Sequence, residues 1–298
     1  AGWHQALTIA TAVLIITCPC ALGLAVPVSQ VVAAGALMRR GILVKDGSAI
    51  ERFAQVDRAL FDKTGTLTLG RMEPLNLDAL TPEQASVALA LAQSSRHPIS
   101  RALQRALKER GFAPAVVEQI AEEQGKGVHG LYQGQRVALE RPAEDMVTEG
   151  AATRLVMGDT HVDILLADTL RPDATNAIAQ LAALNVPASI VSGDREEAVA
   201  SVAATLGLPS RAHALPQDKI TAIHQLQAEG HMVLMVGDGL NDGPALAAAN
   251  ASLAPGSATD MGQQAADAVF TGDSLSAVPA MISASRRTMR VVRENFVL

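Results

Sequence analysis

"VDRALFDKTGTLTLG", Val56–Gly70, decides the fold. Its opening, Val56–Phe61, is a short apolar run that reads as a buried strand. A carboxylate, Asp62, follows at once, with the small, hydroxyl-rich turn Thr64-Gly65-Thr66 behind it. Two later runs repeat the pattern. Val186–Val191 leads into Ser192-Gly193-Asp194, and Met232–Val236 leads into Gly237-Asp238-Gly239-Leu240-Asn241-Asp242. Amphipathic helices are predicted over Pro172–Leu184, Arg195–Leu206 and Pro216–Glu229, two of them opened by a proline near the first turn. Strands alternating with helices predict an α/β, doubly wound parallel sheet with helices on both faces. Ligands of such sheets sit at the carboxyl ends of the strands, where these acidic turns lie.

One stretch breaks the rhythm. From about Glu73 to Ala167, two helix-like runs (Pro82–Gln93 and Ile99–Arg110) precede short, Gly-rich strand candidates at Val128–Tyr132, Gln135–Leu139, Thr153–Met157 and His161–Leu166. This predicts an inserted α+β module, with the parallel sheet resuming after Asp168.

Folding the sheet would converge Asp62, Ser192, Lys219, Asp238 and Asp242 on one crevice. Clustered carboxylates repel unless a hard cation joins them, and oxygen ligands of this kind suit Mg²⁺. Lys219 and the backbone N–H groups of the Gly turns can hold a phosphoryl group. Asp62 is then the nucleophile, forming an aspartyl phosphate. No G-x-x-x-x-G-K-[ST] loop occurs, which excludes a Walker-type cradle. One Asp-Gly turn is more often just a turn; three at successive strand ends point to chemistry. Two positions beyond Asp62, a phosphatase profits from an acid/base carboxylate. Thr64 stands there instead, so the phosphoenzyme should persist, which suits coupling better than simple hydrolysis.

Charge is distributed unevenly over the 298 residues. No Asp, Glu, Lys or Arg occurs from Ala1 to Met38, and Leu7–Val26 meets the roughly 20-residue requirement for spanning a bilayer. Arg39, Arg40 and Lys45 follow, which places the downstream end in the cytoplasm. A signal peptide would want a basic start, absent from Ala1–Gln5, and a buried helix of a soluble protein is the plainer alternative. Arg286, Arg287, Arg290 and Arg293 precede Asn295–Leu298, consistent with the start of a second span or with a basic final helix. Both ends read as cut from a larger membrane protein. The net charge of −6 and 2% aromatic content argue against a nucleic-acid partner. The two cysteines, Cys18 and Cys20, flank Pro19 and are too close to staple a fold, so they are reserved for chemistry in a reducing compartment. On an ideal helix they would point roughly 200° apart. Pro19 opens the helix, and a distorted turn can swing both sulfurs toward one soft ion.

Asp62-Lys63-Thr64-Gly65-Thr66 resembles the phosphorylation motif of P-type ATPases. Gly237–Asp242 resembles their magnesium-binding hinge motif, Ser192-Gly193-Asp194 their phosphate-site motif, and Lys219 their phosphate-site lysine. Cys18-Pro19-Cys20 resembles the heavy-metal branch, as do Ser95-Arg96-His97-Pro98 and Gly125-Lys126-Gly127 in its nucleotide domain. The resemblance runs along nearly the whole chain. It implies a haloacid-dehalogenase-type phosphorylation domain (residues 41–72 and 168–285), an inserted nucleotide-binding domain (73–167), and transmembrane segments at 1–40 and 286–298. It implies ATP contacted by His97, Gly125 and Gly127, and Mg²⁺ held by Asp62, Thr64, Asp238 and Asp242. Lys63, Thr66, Ser192, Gly193, Asp194 and Lys219 complete its catalytic set, and Cys18 with Cys20 bind the transported metal. Two places depart from the pattern: Ala92 where an acidic residue is frequent, and Leu139-Glu140 where many members have Gly-Asn.

Ala21-Leu22-Gly23-Leu24-Ala25 is more similar to copper(I) pumps than to zinc/cadmium pumps, and the wider wording is similar to bacterial copper pumps that supply cytochrome oxidase assembly. The implied partners are ATP, a soft metal ion, membrane lipid and a cytosolic metallochaperone. The implied location is the bacterial inner membrane, with the catalytic domains cytoplasmic. Zn²⁺/Cd²⁺ transport, a membrane-tethered phosphatase of the haloacid-dehalogenase type, and a non-enzymatic metal-sensing or scaffold fragment lacking a T-G-E loop stay open as alternatives.

Overall fold

The computed structural model describes residues 2–16, 20–123, 127–142, 151–239 and 241–297, with the backbone alone for 14–16, 20–25, 296 and 297. In chain order the helices are α1 (Trp3–Ile16), α2 (Cys20–Met38), α3 (Gly47–Gln55), α4 (Pro82–Gln93), α5 (Pro98–Glu109), α6 (Ala174–Ala183), α7 (Glu196–Leu206), α8 (Pro216–Ala228), α9 (Gly243–Ala248), α10 (Asp260–Ala265) and α11 (Ala277–Val297). The strands are β1 (Ile42–Val44), β2 (Arg58–Phe61), β3 (Thr68–Pro74), β4 (Glu118–Glu123), β5 (Gly127–Tyr132), β6 (Gln135–Glu140), β7 (Ala151–Met157), β8 (Thr160–Leu170), β9 (Ala188–Val191), β10 (Ser210–Arg211), β11 (Val233–Val236), β12 (Ala251–Pro255) and β13 (Ala268–Phe270).

Among the described residues, one sheet has seven strands in the order β1-β13-β12-β11-β2-β9-β10. β11 and β12, β12 and β13, and β9 and β10 pair in parallel, while β1 closes the edge antiparallel to β13. The strands of its middle are largely apolar, as expected where both faces are covered: every residue of β11 and β12 is buried. The short strands β1, β10 and β13 carry too few residues for a period to be read, and the sequence does not announce them.

The chain divides into two compact units, 1–60 with 175–189 and 216–298, and 61–174 with 190–215. In the first, α11 packs along α2 and α3. Arg286 of α11 donates to the carbonyls of Leu184 (2.6 Å) and Val56 (2.8 Å). Arg52 of α3 pairs with Asp267 at 2.6 Å, and Asp267 also accepts from the Ser252 N–H at the start of β12.

The second unit holds a six-stranded antiparallel sheet, β3-β8-β7-β6-β5-β4. Its apolar face packs under α4 and α5, with Leu89, Leu91, Leu103, Leu107, Val137, Leu155 and Ile164 at the centre. α4 starts where Thr81 and Gln84 form a reciprocal capping box with Pro82 in the first turn. Gln133 (φ 51°) and Gly134 (φ 77°) turn β5 into β6, the paired left-handed conformation favoured in two-residue hairpins. This is the inserted α+β module expected from the sequence.

The flanks are helical where described. α1 is described over Trp3–Ile16, 14 residues or about 21 Å of rise. α2 begins at Cys20 and contains Pro27, and residues 17–19 lie outside the described residues. Among the described residues no helix is long and apolar enough to cross a membrane. At the other end, residues 286–297 finish α11, a 21-residue helix already under way from Ala277. Its buried Val278, Met281 and Ile282 anchor it in the first unit.

Candidate active site

β2 delivers Asp62 at its carboxyl end, in extended conformation (φ −70°, ψ 158°), and the chain then folds into a tight loop. Gly65 takes φ 72°, the left-handed region where a side chain is strained, which explains a glycine between two threonines. Three clasps hold this loop. The Gly65 N–H donates to Thr68 Oγ1 at 3.1 Å, and the Arg171 N–H donates to the Leu67 carbonyl at 2.9 Å. The Arg171 guanidinium, 2% exposed, donates to the carbonyls of Thr66 (2.6 Å) and Gly65 (3.1 Å). Asp168, in β8, accepts from Thr68 Oγ1 at 2.5 Å and from the Arg71 N–H at 3.0 Å. Burial pushes the Asp168 carboxyl above its ordinary range, against the pull of its hydrogen bonds and of Lys63.

The next loop meets the first. Lys63 Nζ lies 2.7 Å from Asp194 Oδ2, and Thr64 Oγ1 donates to the same oxygen at 2.8 Å. Asp194 is held in turn: its N–H donates to Ser192 Oγ at 3.3 Å, and its carbonyl accepts from the His213 N–H. A Cβ on Gly193 would come within 3.2 Å of the Ala214 carbonyl, so the turn is close-packed. Asp62, Lys63 and Ser192 are buried, and Thr66 Oγ1 is buried without a hydrogen-bond partner among the described residues.

In the first unit, β11 ends at Val236 before the third acidic loop. Gly239 has φ 81°, and a Cβ there would collide with the backbone of Gly262 in α10. The Thr259 N–H donates to the Asp238 carbonyl at 3.0 Å, tying this loop to the start of α10. Lys219, on α8, pairs with Asp242 at 2.6 Å, both almost fully buried. A buried pair of this kind leaves a costly uncompensated charge if either partner is removed. Leu240 lies outside the described residues.

The described nucleotide-motif residues, His97 and Gly127, both lie in the second unit. His97 caps α5, its Nδ1 accepting from the Ile99 N–H at 3.3 Å, and Ser95 braces it by accepting from the His97 N–H and donating to Glu122. Gly127 opens β5 with φ 125°, and a Cβ there would fall 2.0 Å from the Leu139 carbonyl. A cavity of about 280 Å³ lies along β5 and β6, lined by Gly127, His129, Arg136 and Glu140 among others. Gly125 and Cys18 lie outside the described residues, as does the side chain of Cys20.

Sequence reasoning missed Arg171, Asp168 and Thr68. The signal was Asp168 and Arg171 close together at the end of β8, where Asp168 marks only the resumption of the sheet.

Residues 56–250 match the family model of the haloacid dehalogenase-like hydrolases. The chain is 46% identical over 307 residues to the nitrogen fixation protein FixI of Rhizobium leguminosarum bv. viciae, covering 99% of this chain and 40% of that protein. It is 36% identical over 326 residues to a copper-exporting P-type ATPase of Mycobacterium tuberculosis, covering 100% of this chain and 42% of that one. In three dimensions it is similar to a crystal structure of a zinc-transporting PIB-type ATPase, with a TM-score of 0.86 and 34% identity, covering 99% of this chain and 52% of that chain. The chain thus spans about two fifths of the length of the curated relatives it matches.

Proposed function

The chain belongs to the haloacid dehalogenase-like hydrolases, with heavy-metal P-type ATPases among its relatives, and on that premise we propose that it is the catalytic part of a metal pump working through an aspartyl phosphate on Asp62. The observation that carries this is the loop after β2: a buried nucleophilic carboxylate on a clasped turn, with Thr64 where a hydrolase would place its acid.

An Asp62 carboxylate oxygen attacks the γ-phosphorus of ATP, the bond from that phosphorus to the bridging oxygen breaks, and ADP leaves with the bond's electrons. Lys63 and Lys219, each held by a carboxylate at 2.7 and 2.6 Å, are fixed cations for the phosphoryl oxygens. The Thr64 hydroxyl is too weak an acid or base to activate water, so the acyl phosphate outlasts the transfer until water attacks phosphorus and restores the carboxylate. The residues read for Mg²⁺ are the carboxylates of Asp62, Asp238 and Asp242, since hard oxygen donors fit that ion. When bound, with the Thr64 carbonyl as a further ligand, Mg²⁺ supplies charge neutralisation for the phosphoryl group. The cavity along β5 and β6, with Gly127 at its wall, receives the nucleotide base.

The transported substrate is a soft metal ion, bound by Cys18 and Cys20. Cu⁺ is our first reading, from the residues that follow the C-P-C. Zn²⁺ or Cd²⁺ is the second, favoured by the likeness to a zinc-transporting structure. The complete protein sits in the bacterial inner membrane with these units on the cytoplasmic side, receiving metal from a cytosolic chaperone. The test is ATPase activity of the complete protein with Cu⁺ or Ag⁺ against Zn²⁺ or Cd²⁺. Stimulation lost in Cys18→Ser/Cys20→Ser is expected; unchanged stimulation would refute the transport site.

A further inference from the structure

Between α3 and α11, lined by none of the catalytic, nucleotide or metal residues named above, lies a cavity of about 240 Å³. Arg286, Arg290 and Arg293 line one wall, at i, i+4 and i+7 on a single face of α11, and Glu51 and Gln55 line the other from α3. Arg286 forms the fixed base: its two terminal nitrogens donate to the carbonyls of Leu184 and Val56, so its charge is held in place. Arg290 and Arg293 are exposed, and their guanidinium groups find no partner among the described residues. Glu51 is the sole carboxylate of the lining and already accepts from Gln30 Nε2 at 2.7 Å. Three guanidinium groups thus face one engaged carboxylate. None of the three arginines lies in the last turn of α11, so the helix dipole does not account for them.

Planar guanidinium forks match phosphate oxygens in paired hydrogen bonds. On α2, which packs against α11, Val28, Val31 and Val32 are 57%, 71% and 66% exposed at helical spacing, an apolar stripe in the same unit. We propose that the Arg286–Arg290–Arg293 cavity binds the phosphate of an anionic phospholipid headgroup. It rests on the membrane placement proposed above, yet it needs no phosphorylation, so its failure and that of the pump reading are distinguishable.

The test uses the complete protein in nanodiscs of phosphatidylcholine, titrated with phosphatidylglycerol, with binding followed by native mass spectrometry. Arg290→Gln and Arg293→Gln should each weaken phosphatidylglycerol binding by about fivefold or more. Arg287→Gln removes the same charge from α11 outside the cavity and should change it less than about twofold. Helix content by circular dichroism should be equal in all three variants, which keeps a loss of binding distinct from a loss of fold. Equal losses in the three variants would reduce the effect to surface charge and overturn the site. Displacement by millimolar inorganic phosphate with no preference for phosphatidylglycerol over phosphatidylcholine would assign the cavity to a free anion, and overturn the lipid.

Discussion

Arg171 has the most consequential environment of any residue the sequence did not single out. It is almost fully buried, and its guanidinium holds two carbonyls of the loop that carries Asp62. Buried hydrogen bonds from a charged donor contribute about 1.5–3 kcal/mol each, and a carbonyl left unpaired adds a desolvation cost. Arg171→Met should therefore destabilise the protein by roughly 3 kcal/mol, read in urea denaturation. Arg171→Lys should keep the fold but slow phosphoenzyme formation, because one ammonium cannot serve both carbonyls in a fixed geometry. Asp168 gives a pH signature. Its carboxyl is raised from the ordinary 3.8 by burial, so the folded state binds that proton more tightly than the unfolded chain. Its contribution is then fully present below 3.8 and is lost as pH rises through the raised value. Asp168→Asn should flatten the stability profile over the range just above 3.8; an unchanged profile would contradict the assigned environment.

At the scale of elements, the legible parts were those whose chemistry is local. Pro82–Gln93 is a helix as expected, because Thr81, Pro82 and Gln84 write its start into adjacent positions. Thr81→Ala should cost about 1 kcal/mol in thermal denaturation. The acidic loops after β2 and β11 were equally plain, since a Gly that needs positive φ betrays a turn. Less legible was anything set by distant partners. β1 exists because β13 pairs with it, Ile42 opposite Phe270 from the far end of the chain, and three residues carry no period of their own. The clasp of Arg171 on Thr66 spans 105 positions, which no local pattern announces. Gly127 is a middle case: the glycine was noticed, but its reason is the carbonyl of Leu139 on the next strand. Gly127→Val would force β5 from β6, and should lower ATP affinity by at least about tenfold in calorimetry.

Across the whole molecule, the proposed phosphoryl-transfer residues follow in sequence an apolar N-terminal segment that carries Cys18-Pro19-Cys20. The chain alone spans about two fifths of its curated relatives, so it should bind nucleotide without transporting metal. The fold was legible at this scale because three strand-ends repeat one acidic pattern. The packing of α11 along α2 and α3 was not, because it joins segments far apart in the chain and no local pattern marks it. The most direct measurement is the position of the phosphoryl group. The complete protein, incubated with ATP, Mg²⁺ and metal, is quenched in acid and reduced with borohydride, which turns an acyl phosphate into an alcohol, and its peptides are mapped by mass spectrometry. The account predicts homoserine at Asp62 and nowhere else, absent from the Asp62→Asn variant. Homoserine at another aspartate, or an unmodified Asp62 in protein that still turns over ATP, would contradict it.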